Sequence, residues 1–136
     1  MTDHGKSNDI RVRVAPCPAT FGARPGGGDE VLAWVVDLAR PPVAPEVLFE
    51  RLTADEQARA TRYKIAKARE QFVIGRGLLR TLLGCCLGCE FRDVPLNYLP
   101  SGKPVLGGAL EFHFNLTHTD GVAVIALARQ PVGVDV

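Results

Sequence analysis

Residues 66–87 read AKAREQFVIGRGLLRTLLGCCL, and this stretch decides the fold. Phe72, Leu79, Leu82, Leu83 and Cys86 recur at helical spacing with Lys67, Arg69, Arg76 and Arg80 interspersed, which predicts one long helix with an apolar face and a basic face. Gly75 and Gly77 inside it each cost about 1 kcal/mol relative to alanine, so close backbone packing is the expected compensation. Gly88 can supply the left-handed residue that stops the helix.

Upstream, Thr53-Ala-Asp-Glu56 has the S/T-x-x-E pattern of a capping box, which starts a further helix. Pro45 can open a short helix running to about Arg51. Val31–Leu38 is rich in β-branched and aromatic residues and closes at Pro41-Pro42, as a first strand should. Its continuous apolarity predicts burial on both faces. Residues 1–29 carry Pro16, Pro18, Pro25 and Gly26-Gly27-Gly28, a composition that buries too little surface to offset its ordering entropy. Most of this segment reads as a flexible leader before a folded lobe of residues 30–136.

Downstream of Pro95 the period changes to two. Ser101-Gly-Lys-Pro104 reads as a turn between extended segments, and Phe112, Phe114 and Leu116 alternate with His113, Asn115 and Thr117. Thr119-Asp-Gly121 is a further turn, Val122–Ala128 a buried strand, and Val132–Val136 the start of another. The fold class is therefore α+β, a mainly antiparallel sheet packed by one long helix.

A chain of 136 residues with 46% hydrophobic content fits one core rather than two. Sixteen basic against fifteen acidic residues leave a net charge of +1, so no global field favours nucleic acid or an anionic membrane. The apolar runs Val31–Val36 and Val122–Ala128 fall far short of the roughly 20 residues that span a bilayer. No secretory signal is visible at the N-terminus, and the cytoplasm is the expected location. Cys85, Cys86 and Cys89 crowd the end of the long helix and Cys17 sits alone, which is not the spacing of a disulfide framework. Cys86 and Cys89 form a C-x-x-C without a second pair or a nearby histidine, so structural thiols are the expected reading.

Without further knowledge, the candidate chemical residues are Lys103 in a turn, Thr117 and His118 at a strand end, and Asp135 in an apolar strand. Each also has a plain structural reading: a solvated lysine, a hydrogen-bonded histidine, an aspartate on an open face. Asp135 between Val134 and Val136 faces desolvation unless it meets a cation, and a hard metal such as Mg2+ would answer that need. Dinucleotide-binding, P-loop and hydrolase-elbow motifs are absent from the sequence. The basic residues Lys64, Lys67, Arg69, Arg76 and Arg80 read as a solvated face rather than an RNA surface.

Five blocks occur in order: Leu52-Thr-Ala-Asp-Glu56 with Arg59-Ala-Thr-Arg-Tyr63; Phe72-Val-Ile-Gly-Arg76 with Leu78-Leu-Arg80; Gly102-Lys-Pro104; Phe114-Asn-Leu-Thr-His118; and Val132-Gly-Val-Asp135. Over residues 31–136 this series resembles the two-lobed, surfactin-synthetase-activating type of 4'-phosphopantetheinyl transferase. The resemblance implies transfer of the 4'-phosphopantetheine arm of coenzyme A onto a serine of an acyl or peptidyl carrier protein, with Mg2+ bridging the pyrophosphate. It implies that Gly102, Lys103 and Pro104 line the adenosine part, that Arg59, Thr117 and His118 hold the phosphates, and that Asp135 is the first acidic metal ligand. The family's general base and remaining acids would lie beyond Val136, so no catalytic base is expected here.

Ala68 and Gln71 depart from an acid and a basic residue common in the family, and Thr117 replaces a serine while keeping the hydroxyl. Glu56 stands where some relatives have a phosphate-contacting lysine. The expectation is an N-terminal lobe, inactive alone, with its substrate site facing a C-terminal lobe or, in a homodimer, a second copy. A non-catalytic binding module for coenzyme A or a carrier protein is the alternative, and a thiol or zinc protein built on Cys85, Cys86 and Cys89 is a third.

Overall fold

Thr53 caps its helix as its pattern requires: its hydroxyl accepts from the Glu56 N–H at 3.3 Å, and its own N–H donates to Glu56 Oε1 at 3.0 Å. The computed structural model describes residues 11–15, 30–107 and 112–131. The strands are β1 (Arg11–Ala15), β2 (Glu30–Asp37), β3 (Leu96–Tyr98), β4 (Pro104–Leu106), β5 (His113–His118) and β6 (Val122–Ala128). The helices are α1 (Pro45–Glu50), α2 (Ala54–Arg62) and α3 (Ala66–Leu87), followed by a single 3-10 turn at Phe91–Asp93. The α+β expectation holds, and α3 has the predicted bounds.

Four strands form one sheet in the order β1-β2-β6-β5, and β3 and β4 form a separate hairpin. β6 lies antiparallel between β2 and β5, with Trp34 opposite Ile125 and Leu116 opposite Ile125 on the other side. Within the segment read as a flexible leader, β1 pairs parallel with β2, so that stretch is ordered by a sheet edge. The sequence reading did not anticipate it, because Arg11-Val-Arg-Val-Ala15 is too short and too charged to stand out. The rest of residues 1–29 lies outside the described residues, as do Val132–Val136 and therefore Asp135.

The core lies between α3 and one face of the large sheet. Leu32, Trp34 and Val36 from β2, Ile125 and Leu127 from β6, and Phe114 from β5 meet Ile74, Leu78, Leu79, Leu82 and Leu83. Each such buried side chain stabilises the lobe by about 1.5–3 kcal/mol. Burial of β2 on both faces holds at Val31 and Ala33 and fails at Val35, which is 53% exposed.

Helix α1 crosses α3 at Gly77, where an added Cβ would lie 2.6 Å from Leu48 Cβ and 3.1 Å from the Leu48 carbonyl oxygen. The expected compensation for a mid-helix glycine is thus a close approach of two backbones. Gly88 ends α3 at φ 72°, with its N–H donating to the Gly84 carbonyl at 2.8 Å. Gly102, at φ 90°, makes the predicted turn between β3 and β4.

The division of α3 into an apolar and a basic face needs correction. Lys67 and Arg69 are exposed, but Arg76 and Arg80 are buried, because their turn of the helix is enclosed by α2, the β3–β4 hairpin and the 3-10 turn.

Candidate functional site

Two buried arginines inside an apolar helix need compensation, and Glu56 supplies it. Arg80 Nε donates to Glu56 Oε1 at 2.6 Å and Arg80 Nη2 to Oε2 at 3.0 Å. Arg80 Nη1 reaches the carbonyls of Phe91 and Val94 at 3.0 and 3.1 Å, fixing the chain after α3. The Tyr98 hydroxyl donates to Glu56 Oε2 at 2.6 Å and accepts from Arg76 Nη1. Burial by itself would raise the Glu56 carboxyl, but hydrogen bonds from Arg80, Tyr98 and the Thr53 N–H, with the Arg80 charge, bring it below its ordinary value. Burial pushes the Tyr98 hydroxyl up, and its hydrogen bond to Glu56 reinforces the rise against the opposing Arg76 charge.

Above this buried network α2, α3 and β5 enclose a cleft of about 210 Å³. It is lined by Arg59 and Tyr63, by Ala68, Gln71, Phe72, Gly75 and Arg76, and by Leu116 and His118. Phe72 organises it: the guanidinium carbons of Arg59 and Arg76 lie 4.8 and 5.0 Å from its ring centre, and the Tyr63 ring lies 5.5 Å away. A guanidinium over an aromatic face is held there by attraction to the ring's negative face. Arg76 is 6% exposed, and its Nε has no hydrogen-bond partner. Two guanidiniums and an imidazole with no carboxylate among the lining residues make an anion-binding set. At the rim Gln71 Nε2 donates to the Asp120 carbonyl, and Lys67 approaches the Asp120 carboxylate at 3.5 Å.

Arg59 and His118 are therefore brought together across one cleft. Thr117 lies between Leu116 and His118 on β5, so the pleat sends it to the opposite face of the sheet. Gly102, Lys103 and Pro104 sit on the β3–β4 turn, with Lys103 exposed, and none of the three lines the cleft. Among the described residues no group of three or more His, Cys, Asp or Glu side chains gathers as a metal site would. Cys85 and Cys89 are half-buried and Cys86 is buried, and none of the three is in a disulfide.

Sequence reasoning missed Arg76 as a lining residue, and with it the Glu56–Arg80–Tyr98 network. A signal was present: from Val73 to Leu83 the only polar residues are Arg76, Arg80 and Thr81, which leaves no solvated face on which to put two arginines. Glu56, noted as a departure from a phosphate-contacting lysine, is instead the acid that neutralises one of them.

A family model described as 4'-phosphopantetheinyl transferase, N-terminal, matches residues 42–130. The chain belongs to the 4'-phosphopantetheinyl transferase family. It is similar to the 4'-phosphopantetheinyl transferase HetI of Nostoc sp. (strain PCC 7120), with 38% identity over 112 residues, which are 79% of this chain and 47% of HetI. It is also 24% identical over 89 residues to a 4'-phosphopantetheinyl transferase of Bacillus subtilis, covering 65% of this chain and 40% of that protein. The chain thus spans less than half the length of these curated relatives.

Its fold is similar to that of a holo-(acyl-carrier-protein) synthase from Bacillus anthracis str. Ames, solved in complex with CoA (3',5'-ADP). The TM-score is 0.52 at 22% identity, over 71% of this chain and 91% of that one. No described helix of this phosphopantetheinyl transferase family member is long and apolar enough to cross a membrane.

Proposed function

We propose that this chain is the coenzyme-A-contacting lobe of a 4'-phosphopantetheinyl transferase that modifies a serine of an acyl or peptidyl carrier protein. The observation that carries the reading is the convergence of Arg59, Arg76 and His118 on one cleft free of carboxylates. In the reaction the serine oxygen bonds to the β-phosphorus, the bond from that phosphorus to the bridging oxygen breaks, and 3',5'-ADP leaves with the electron pair. Charge therefore has to be held on the phosphates, and preorganised donors in a partly dehydrated site do this best.

Arg59 and Arg76, both held against Phe72, would donate to phosphate oxygens, and His118 would donate from the strand end. Hydrogen bonds to a charged group contribute about 1.5–3 kcal/mol each. Gly102, Lys103 and Pro104, presented by the neighbouring hairpin, would take the adenosine end, and Thr117 would reach a phosphate only from the far face of β5. Mg2+, when bound, would supply Lewis-acid stabilisation of the pyrophosphate, with Asp135 as a candidate ligand.

The reading places the lobe in the cytoplasm and leaves proton removal from the serine to residues outside this lobe. The site would be closed by a C-terminal lobe or, in a homodimer, by a second copy. Light scattering at rising protein concentration distinguishes a self-associating chain from a monomer.

The function itself is tested by calorimetric titration of coenzyme A into the chain with and without Mg2+. Binding that Arg59→Ala and His118→Ala each weaken about tenfold is expected. A titration with no heat of binding at high coenzyme A would overturn the assignment of the phosphate site to this lobe.

A further inference from the structure

We infer that Tyr98 is a positioning residue that sets the Arg76 guanidinium in the cleft and ties the β3–β4 hairpin to it. The inference deepens the coenzyme A reading and rests on it.

The charge balance of the buried network leads there. Glu56 carries one negative charge against the two positive charges of Arg76 and Arg80. Arg80 is fully engaged, with both Glu56 oxygens and the carbonyls of Phe91, Arg92 and Val94 as acceptors. The excess positive charge therefore resides on Arg76, the member of the pair that lines the cleft. Its nearest approach to Glu56 is 4.0 Å, too long for a hydrogen bond, and its Nε has no partner.

What holds Arg76 in place is Tyr98. The hydroxyl accepts from Arg76 Nη1 while donating to Glu56 Oε2 at 2.6 Å, so one oxygen is fixed by both ends of the network. The guanidinium carbon lies 5.2 Å from the Tyr98 ring centre and 5.0 Å from that of Phe72, between two aromatic side chains. A guanidinium whose rotamer is locked in this way holds its charge beside the cleft without a further ordering cost when an anion enters. The raised pKa of Tyr98 keeps its proton in place for donation to Glu56 throughout the neutral range.

Tyr98 also carries the hairpin. It pairs with Pro104 across β3 and β4, and the turn between them closes with Gly102 N–H to Leu99 oxygen at 2.7 Å and Leu99 N–H to Lys103 oxygen at 2.9 Å. One hydroxyl therefore links the turn bearing Lys103 to the arginine of the phosphate cleft, which no other described side chain on that hairpin does among the hydrogen bonds observed.

The test is calorimetric titration of 3',5'-ADP into the whole chain, into Tyr98→Phe, into Arg76→Gln and into the double variant, with thermal unfolding of each. Tyr98→Phe keeps the ring and removes only the hydroxyl, and is expected to weaken binding about tenfold. In the Arg76→Gln background the same change is expected to cost less than about twofold, because the group it positions is gone. Equal losses in both backgrounds would mean a general structural role and overturn the inference. Unchanged binding in Tyr98→Phe would overturn it while leaving the coenzyme A reading intact. No binding by the unsubstituted chain would overturn both.

A second measurement does not depend on the variants folding. The side-chain guanidinium resonances of Arg76 in the unsubstituted chain are expected to shift on addition of 3',5'-ADP, and resonances that all stay in place while the nucleotide binds would contradict the inference.

Discussion

Arg80 and Glu56, from the middle of α3 and the first turn of α2, meet in a two-pronged ion pair at 2.6 and 3.0 Å, with Arg80 3% and Glu56 4% exposed. The pair joins two helices, and through the remaining Arg80 donor it fixes the segment between α3 and β3. A pair buried this deeply is costly to break, because the surviving charge is left without a partner. Arg80→Ala is expected to destabilise the lobe by about 3–5 kcal/mol, measured by urea unfolding. Replacing both partners together with apolar residues of similar volume is expected to cost much less than Arg80→Ala.

Acid should find the same pair. The Glu56 carboxyl is held below its ordinary value in the folded lobe, so its contribution is fully present above the unfolded value of 4.5 and is lost as pH falls through the lower folded value. Unfolding free energy measured from about pH 6 down to about pH 3 is expected to fall more steeply in the unsubstituted chain than in Glu56→Gln. Parallel curves would contradict it.

Gly77→Ala separates helix propensity from packing. Propensity alone would stabilise α3 by about 1 kcal/mol. The new Cβ would meet Leu48 Cβ at 2.6 Å and its backbone oxygen at 3.1 Å, and backbone cannot swing aside as a long side chain can. The expected net result is a loss of about 1–3 kcal/mol in denaturant unfolding, whereas Gly75→Ala, with Leu116 at 3.7 Å as its nearest contact, should be neutral or stabilising.

Much of this fold was legible because its signals are local. The Thr53–Glu56 capping box, the Gly88 stop, the Gly102 turn and the alternation of Phe112, Phe114 and Leu116 each depend on residues within a few positions. The bounds of α3 and β6 follow from them. The cleft was half legible: Arg59 and His118 stood in family blocks, but their meeting across Phe72 depends on how α2 and β5 pack on α3. Periodicity alone gives the charges of Arg76 and Arg80 no destination but a solvated face. Their partner Glu56 lies 24 positions from Arg80, and only tertiary structure brings it in. The pairing of β1 with β2 was invisible for the same reason, since a sheet edge can order a short segment with no signal of its own.

Affinity for 3',5'-ADP should fall with salt. Arg59 is half-buried and His118 exposed, so part of their attraction for phosphate is screened as the Debye length shrinks from about 10 Å at 0.1 M to about 3 Å at 1 M. A several-fold weakening over that range is expected in a binding titration, and it should be smaller in Arg59→Ala.

The most direct test is a crystal structure of the chain soaked with coenzyme A. The nucleotide's phosphates are expected in the cleft, within hydrogen-bond reach of Arg59, Arg76 and His118, with the adenosine turned toward Lys103. Phosphates bound away from Phe72 and its two flanking arginines, with the cleft left open, would contradict the assignment of the coenzyme A site.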